Sequence, residues 1–534
     1  MAEAALIPVS AGSGRSPLPS QGLGSRHGFA VFTGIMVFAA VLRFALADYP
    51  LWFDEYASLF FAHQPYARLW SDWMVRETNP PLFYSILRGW MDLVGPMDRV
   101  ILRVPTIVAS LLTIAVAYFG MARHYGERAA GVGAVLLAVS AQQIAYAHQV
   151  RGYSFLALAL TISFFSLMRI VTAADRGERE RITSWIGYVG GAIAAIYLHG
   201  TGFLWVPIAT LAVMIVDRRF VPFVGRDWLR LAMANLAIVA GAFWALYIVY
   251  QQMQVPNPNL SWLHYAGIRG SLKLYWASTL LARDPWGIQA VSAALLLAAA
   301  LFGIVRTFRQ KATQLATVCW IGALGLFFVF SLKQPVLVER TLVWIAIFPV
   351  TLACAGVSTL RGSRAFLILA SVLTALGVAN LAATRADFTI EDWESAIVQV
   401  LNDPRGVIVV SGEGGALIAD EACRFADRRN HCRVPILALS GQTNNAWAKG
   451  YAPKIPAVGD GRLALAPTAN LYLIQRYDEQ PLRDLRAVGL LNDVKDSAEF
   501  FLGPFGPPLV ANLERIACVR DKVLYPACPG PVPR

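Results

Sequence analysis

Apolar residues run in long blocks through the first 384 positions of the chain and then stop. The blocks cover about 29–47, 104–122, 129–147, 151–171, 184–198, 201–216, 231–250, 287–305, 313–332, 341–357 and 364–383. A helix that crosses a bilayer takes roughly 20 apolar residues, so the pattern predicts eleven transmembrane helices. The first block lacks a cleavage site followed by a polar mature sequence, and it reads as a retained helix rather than a leader. The stretch 80–96 is different. It opens on Pro80 and Pro81 and carries Arg88 and Asp92. It is expected to lie at the membrane surface as an amphipathic helix with Trp90 at the interface. If it crossed instead, together with one further segment, the count would be thirteen.

The pattern changes at the two ends. Residues 1–27 are rich in Gly, Ser and Pro and read as a flexible cytoplasmic tail. Beyond 384, helical and strand periodicities alternate: helices at Glu391–Leu401 and Ala416–Phe425, and strands at Val407–Val410, Val434–Leu439 and Leu471–Gln475. Ser411–Gly415, SGEGG, reads as a glycine-rich turn after the first strand, without the spacing of a nucleotide-binding loop. The expected organisation is a tail at 1–27, a helical membrane domain at 28–384 with a first long loop at 48–103, and a small α/β domain at 385–534.

Composition agrees and narrows the class. The chain is 56% hydrophobic and 15% charged, with a mean hydropathy of +0.51. A soluble domain has about a quarter charged residues, so an ordinary soluble enzyme, a disordered chain and a disulfide miniprotein are excluded. The net charge of +12 is uneven. Residues 385–534 hold 17 basic and 18 acidic side chains, so the whole excess lies in the membrane part. No soluble segment is strongly basic, which removes the case for a nucleic-acid partner.

The basic clusters at Arg123/Arg128, Arg169–Arg181, Arg218–Arg230, Arg306–Lys311 and Arg361/Arg364 fall in alternate turns. The positive-inside rule makes those turns cytoplasmic. The other loops (48–103, 148–150, 199–200, 251–286 and 333–340) and the α/β domain then lie outside, which in a bacterium is the periplasmic face. Cysteine usage fits: Cys319 and Cys354 sit in apolar blocks, whereas Cys423, Cys432, Cys518 and Cys528 lie in the external domain. Four cysteines allow three pairings or none, and the local pairs 423/432 and 518/528 are the expected ones.

Candidate chemistry collects in the external loops. Asp54 and Glu55 follow the first helix, flanked by aromatic residues. Such a carboxylate, partly desolvated, suits a general base. Glu77 and Asn79 precede Pro80 and Pro81; Arg103 opens the second block; Arg151 and Tyr153 share a short turn; His199 occupies another; Glu339 and Arg340 precede a late block. One acid or arginine at a helix end is usually solvated or snorkels to lipid phosphate. Together, acids, arginines and a histidine at one level can bind an anionic headgroup and move protons beside it.

In order and spacing, LWFDEYAS at 51–58, ETNPPLFYSILRGW at 77–90, the segment from Arg103 to Ala130, AQQIAYAHQVRGYSFLAL at 141–158, YLHGTGF at 197–203 and VERTLVW at 338–344 resemble GT-C membrane glycosyltransferases. The resemblance is to the protein mannosyltransferase superfamily, in its bacterial branch of aminoarabinose and lipopolysaccharide galacturonosyl transferases. It implies a GT-C fold and inverting transfer of a sugar from a polyprenyl-phosphate-linked donor to a lipid, glycan or protein acceptor outside the cytoplasm. It also implies Asp54 as the catalytic acidic residue with Glu55 completing the pair, and a substrate site of Glu77, Asn79, Arg103, Arg151, Tyr153, His199, Glu339 and Arg340. The family's Glu-Ala-Arg is here Gln149-Val150-Arg151, and Thr341 stands where tyrosine is usual. No cofactor is required, and no concentrated ligand cluster supports a divalent metal. Two other functions stay open: a transporter or flippase of lipid-linked sugars, which predicts broken helices and charges deep in the spans, and a membrane-anchored binding protein acting through its α/β domain.

Overall fold

The computed structural model describes residues 26–45, 47–95, 98–254, 265, 267–279, 287–360, 363–385, 391–429, 431–439, 451, 470–475, 512–520 and 523–525. The expected tail lies almost wholly outside them. Every apolar block is helical. The helices are α1 (Arg26–Phe44), α2 (Phe53–Ala62), α3 (Tyr66–Leu69), α4 (Leu82–Val94), α5 (Arg99–Tyr125), α6 (Glu127–Ala138), α7 (Ala141–Ala147), α8 (Tyr153–Ala173), α9 (Ile182–Leu198) and α10 (Trp205–Val216). They continue as α11 (Trp228–Gly241), α12 (Phe243–Gln254), α13 (Gly267–Thr279), α14 (Gly287–Thr307), α15 (Lys311–Ser331), α16 (Ile347–Ser358), α17 (Ser363–Arg385), α18 (Trp393–Leu401) and α19 (Gly412–Asp427).

Among the described residues, α5, α8, α14, α15 and α17 are each long and apolar enough to cross a membrane. The pairs α6–α7 and α11–α12 pass the same test jointly but bend by 59° and 64°. Four shorter apolar helices, at 28–44, 182–198, 200–216 and 343–358, complete the match to the eleven blocks. Length and composition thus support seven crossings at most, against the eleven expected. Two of the short helices begin in 3-10 turns, Gly200–Leu204 and Val343–Ala346.

The outward faces are apolar, with Ile186, Leu236, Ile321 and Ile368 each more than 60% exposed. So large an apolar surface needs lipid to cover it, and the chain is read as a multi-pass membrane protein. Inside, helices approach closely at small residues. A Cβ on Gly303 of α14 would lie 1.9 Å from the Leu352 carbonyl of α16, so only glycine permits that crossing.

Helix α4 is as expected amphipathic, burying Phe83, Tyr84 and Leu87. Its 13 residues rise only about 20 Å, too short to span. Trp90 is held by protein, its Nε1 donating to the Ile101 carbonyl of α5 at 2.9 Å. The interval 251–286, expected to be loop, contains α13. The bend between α6 and α7 is filled by a charge. Arg43, wholly buried, donates to the carbonyls of Ala138 (3.2 Å) and Leu137 (3.4 Å), to Ala39 O and to Ser110 Oγ. The guanidinium thereby satisfies carbonyls that the end of α6 leaves without helical partners.

The C-terminal unit carries a five-stranded sheet, β1 (Gly406–Ser411), β2 (Ile436–Leu439), β3 (Asn470–Gln475), β4 (Asn512–Arg520) and β5 (Val523–Tyr525), in the order β2-β1-β3-β4-β5. β2, β1 and β3 are parallel and β3, β4 and β5 antiparallel. The expected elements are all present, with one revision: Gly412–Gly415 form the first turn of α19 rather than a loop. Cys423 and Cys432 are joined by a disulfide. Cys528 and the side chain of Cys518 lie outside the described residues.

Candidate active site

The long loop after α1 is itself folded. Its first element, α2, starts at one half of a capping box, in which the Glu55 carboxylate accepts from the Trp52 amide at 3.1 Å. That contact decides the fate of the acidic pair, because consecutive helical residues point about 100° apart. Glu55 turns inward and is fully buried against the equally buried Arg103, with Nη2–Oε2 at 3.0 Å. Glu55 also accepts from the Val150 amide at 2.8 Å. Arg103 spends its remaining donors on the carbonyls of Ala47 (2.6 Å), Tyr49 (2.7 Å) and Pro50 (3.3 Å) and stacks on the Tyr49 ring at 4.0 Å. Both side chains are saturated by protein. The structure therefore places Glu55 and Arg103 in a closed, buried pair that ties residues 47–55 to α5 and to Val150, apart from the open face of the site.

Asp54 turns the other way and stays partly open, with 22% of its side chain exposed. Its Oδ2 lies 3.3 Å from Nη1 of Arg340 and 4.0 Å from Nη2 of Arg151. Arg151 further donates to the Asp54 carbonyl and to Ser58 Oγ, both at 3.3 Å. Ser58 escaped the sequence reading, although its position one turn after Asp54 puts it on the same helix face. Burial alone would lower the Arg151 pKa, but Tyr84, Tyr153, Asp54 and Glu77 around it hold it well above its ordinary value. For Arg340 the burial penalty is likewise outweighed, by Tyr153 and Asp54. Both are fixed cations.

The other expected residues gather around this triad unevenly. Glu77, 7% exposed, accepts through Oε1 from the Asn79 amide (3.0 Å), the Asn79 side chain (2.8 Å) and Tyr84 (3.1 Å). Asn79 is thus a holder of Glu77. Burial raises the Glu77 pKa, opposed by Arg151 and these hydrogen bonds. Its backbone carbonyl accepts from Gln252 of α12 at 2.6 Å, and a narrow cavity opens between Glu77–Pro81 and Trp244, Ile248 and Gln252.

His199 caps the turn after α9. Its Nδ1 accepts from the Thr201 amide at 3.1 Å and lies 2.9 Å from that residue's hydroxyl. Burial, then Arg340 and Arg151, lower its pKa to about 3. The ring is neutral and carries its proton on Nε2, an uncharged donor beside two arginines. Tyr153 packs between Tyr146 and His199, at 5.3 and 5.7 Å between ring centroids. Glu339 shares the 3-10 turn of Arg340 but enters none of the ion pairs found among the described residues. Nor does any group of three or more His, Cys, Asp or Glu among the described residues form a candidate metal site.

The assembled geometry is one carboxylate facing two guanidinium groups, at a partly open site beside a neutral histidine and a buried glutamate. The family model for dolichyl-phosphate-mannose-protein mannosyltransferase matches residues 78–244. In structure the chain is similar to ArnT from Cupriavidus metallidurans in the apo state, with a TM-score of 0.53 and 15% identity over 87% of this chain and 95% of that one. The same protein bound to undecaprenyl phosphate matches with a TM-score of 0.53 and 14% identity, over 89% and 96%. An Archaeoglobus fulgidus oligosaccharyltransferase in complex with Zn and sulfate matches at 0.51 and 11%, over 90% of this chain and 73% of that one.

The chain has a GT-C fold.

No curated protein matches it by sequence. Within the GT-C fold, the segment matched by the family model holds Arg103, Arg151, Tyr153 and His199, while Asp54 and Arg340 lie outside it and reach the site through the fold. The resemblance drawn from the ordered motifs therefore stands on a partial family match and on whole-chain architecture.

Proposed function

We propose that the protein transfers a sugar, with inversion, from a polyprenyl-phosphate-linked donor to an acceptor hydroxyl at the outer face of a bacterial inner membrane. The observation that carries this reading is the Asp54–Arg340–Arg151 triad. The acceptor oxygen attacks the anomeric carbon, the bond from that carbon to the phosphate oxygen breaks, and the acceptor proton passes to Asp54. The departing polyprenyl phosphate takes the bonding electrons, and Arg151 and Arg340 hold its charge, since guanidinium groups pair with phosphate in a fork. His199 Nε2–H adds a neutral donor. The undecaprenyl phosphate bound by ArnT supports this donor class. The disulfide at Cys423–Cys432 supports an oxidising compartment for the C-terminal unit. Envelope lipids such as lipopolysaccharide, other glycans and proteins are the acceptor classes in question, and hexose and pentose donors are both compatible with the site.

The test is Asp54→Asn in a deletion strain complemented with the full chain, read by mass analysis of lipopolysaccharide and other envelope glycans. Loss of a general base costs about 10²- to 10⁴-fold, so the transferred sugar disappears while the protein level holds. Unchanged glycan at normal expression removes Asp54 from the mechanism.

A flippase reading draws on the two bent helix pairs and the buried Arg43. That guanidinium, however, is consumed by carbonyls at the α6 break. Movement of labelled carrier lipid without any transferred sugar is the outcome that favours it.

A further inference from the structure

Helix α2 is completed by the far end of the chain. The amide of Phe53, its first residue, has no intrahelical acceptor. It donates instead to Oε2 of Glu391 at 3.2 Å. The same oxygen accepts from Trp393 Nε1 at 2.8 Å, and the Phe53 and Trp393 rings lie 6.1 Å apart. Glu391 is 3% exposed. A buried carboxylate on a helix N-terminal amide is a charge-assisted contact in the favourable direction of the helix dipole. The rest of the interface repeats the arrangement. His63, which ends α2, meets Glu421 of α19 at 2.7 Å; Arg99 of α5 meets Glu394 of α18 at 3.0 Å; and Tyr56 packs on Phe425. The C-terminal unit thus holds α2 at both ends, and Asp54 is the residue directly after the capped amide.

We propose that Glu391 is a positioning residue for Asp54: through it the C-terminal unit fixes the first turn of α2 so that Asp54 faces Arg151 and Arg340. This rests on the reading of Asp54 as the acceptor-side base. Glu391 touches neither substrate nor the triad. It acts through the orientation of one helical turn, and a misplacement of about 1 Å costs roughly 100-fold in rate.

The experiment compares Glu391→Ala, Glu391→Gln and Trp393→Phe in the full-length protein. Transferred glycan per membrane-inserted protein is measured in the complemented deletion strain, and the dissociation constant for undecaprenyl phosphate is measured on purified protein in detergent. Glu391→Gln keeps an oxygen for both donors, so it is expected to retain at least about half of wild-type transfer; Glu391→Ala is expected to fall at least about tenfold. Trp393→Phe removes one donor and keeps the ring, and is expected to fall by about threefold. All three should bind undecaprenyl phosphate within about twofold of wild type, since the arginines are untouched. Should Glu391→Ala fail to accumulate, Trp393→Phe decides. Wild-type transfer in Glu391→Ala or, failing that, in Trp393→Phe overturns the proposal; so does an equal defect in Glu391→Gln and Glu391→Ala, or a parallel loss of undecaprenyl phosphate binding. If Asp54→Asn is itself active, the functional reading falls; if it is dead while Glu391→Ala is normal, only the positioning role falls.

Discussion

Asp54 and Glu55 are chemically alike and adjacent, yet the helix start assigns them opposite fates. Glu55 accepts from the Trp52 amide and pairs with Arg103 in a fully buried site. Removing one partner of a buried, hydrogen-bonded ion pair costs about 3–5 kcal/mol, because the other charge is left unpaired. Glu55→Ala and Arg103→Ala are therefore expected to lower the thermal midpoint and the membrane-inserted yield sharply, whereas Asp54→Asn leaves both near wild type. Measuring midpoint and transfer side by side separates the two roles. His199 supplies a second residue-scale expectation. Its pKa is depressed to about 3 by burial and two arginines, against about 6.5 when unfolded. The unfolded chain thus binds the extra proton first. The stabilisation is full above about pH 6.5 and is lost as pH falls toward about 3. Between pH 6.5 and 4 the wild-type midpoint should fall more steeply than that of His199→Asn.

Among the elements, the apolar blocks were fully legible, because transmembrane-scale hydropathy needs no knowledge of tertiary contacts. The breaks were not. Nothing local to 127–147 announces a 59° bend; it is stabilised by Arg43, contributed from a helix some 95 positions earlier. Arg43→Leu is expected to leave the Ala138 and Leu137 carbonyls unpaired, at about 1–3 kcal/mol, and to lower the thermal midpoint without altering undecaprenyl phosphate affinity. The candidate site was legible as a set of residues but not in which side chains face one another. Asp54, Glu77, Arg151, Tyr153, His199 and Arg340 do converge. Which carboxylate faces the arginines depends on helix phase, and motif spacing does not encode that. Ser58 could have been found from its one-turn offset to Asp54. Glu391 could not, since its partner is a backbone amide hundreds of residues away.

At the scale of the molecule, the two ends of α5 carry different electrostatics. Arg103 lies in the closed pair near the candidate site, while Arg123, about 30 Å of helical rise away, pairs with Glu178 beside a network in which Arg219 contacts Asp217, Glu180 and Asp227 and Lys311 contacts Asp175 and Asp217. The end remote from the triad is thus a mesh of ion pairs in which each cation is matched by carboxylates. The C-terminal unit sits on the other end, against α2 and α5. A chain stopped after Arg385 is expected to insert but to transfer no sugar, which membrane fractionation together with envelope-glycan mass analysis would check.

The cap on α2 also has a consequence for biogenesis. Phe53 and Glu391 are 338 positions apart. At about 5–20 residues per second, the ribosome needs roughly 20 seconds to a minute to reach the second after making the first. Throughout that interval the helix bearing Asp54 lacks its final constraint. Synthesis order thereby gates competence: a truncated or half-inserted chain has the candidate base and not the setting that aims it.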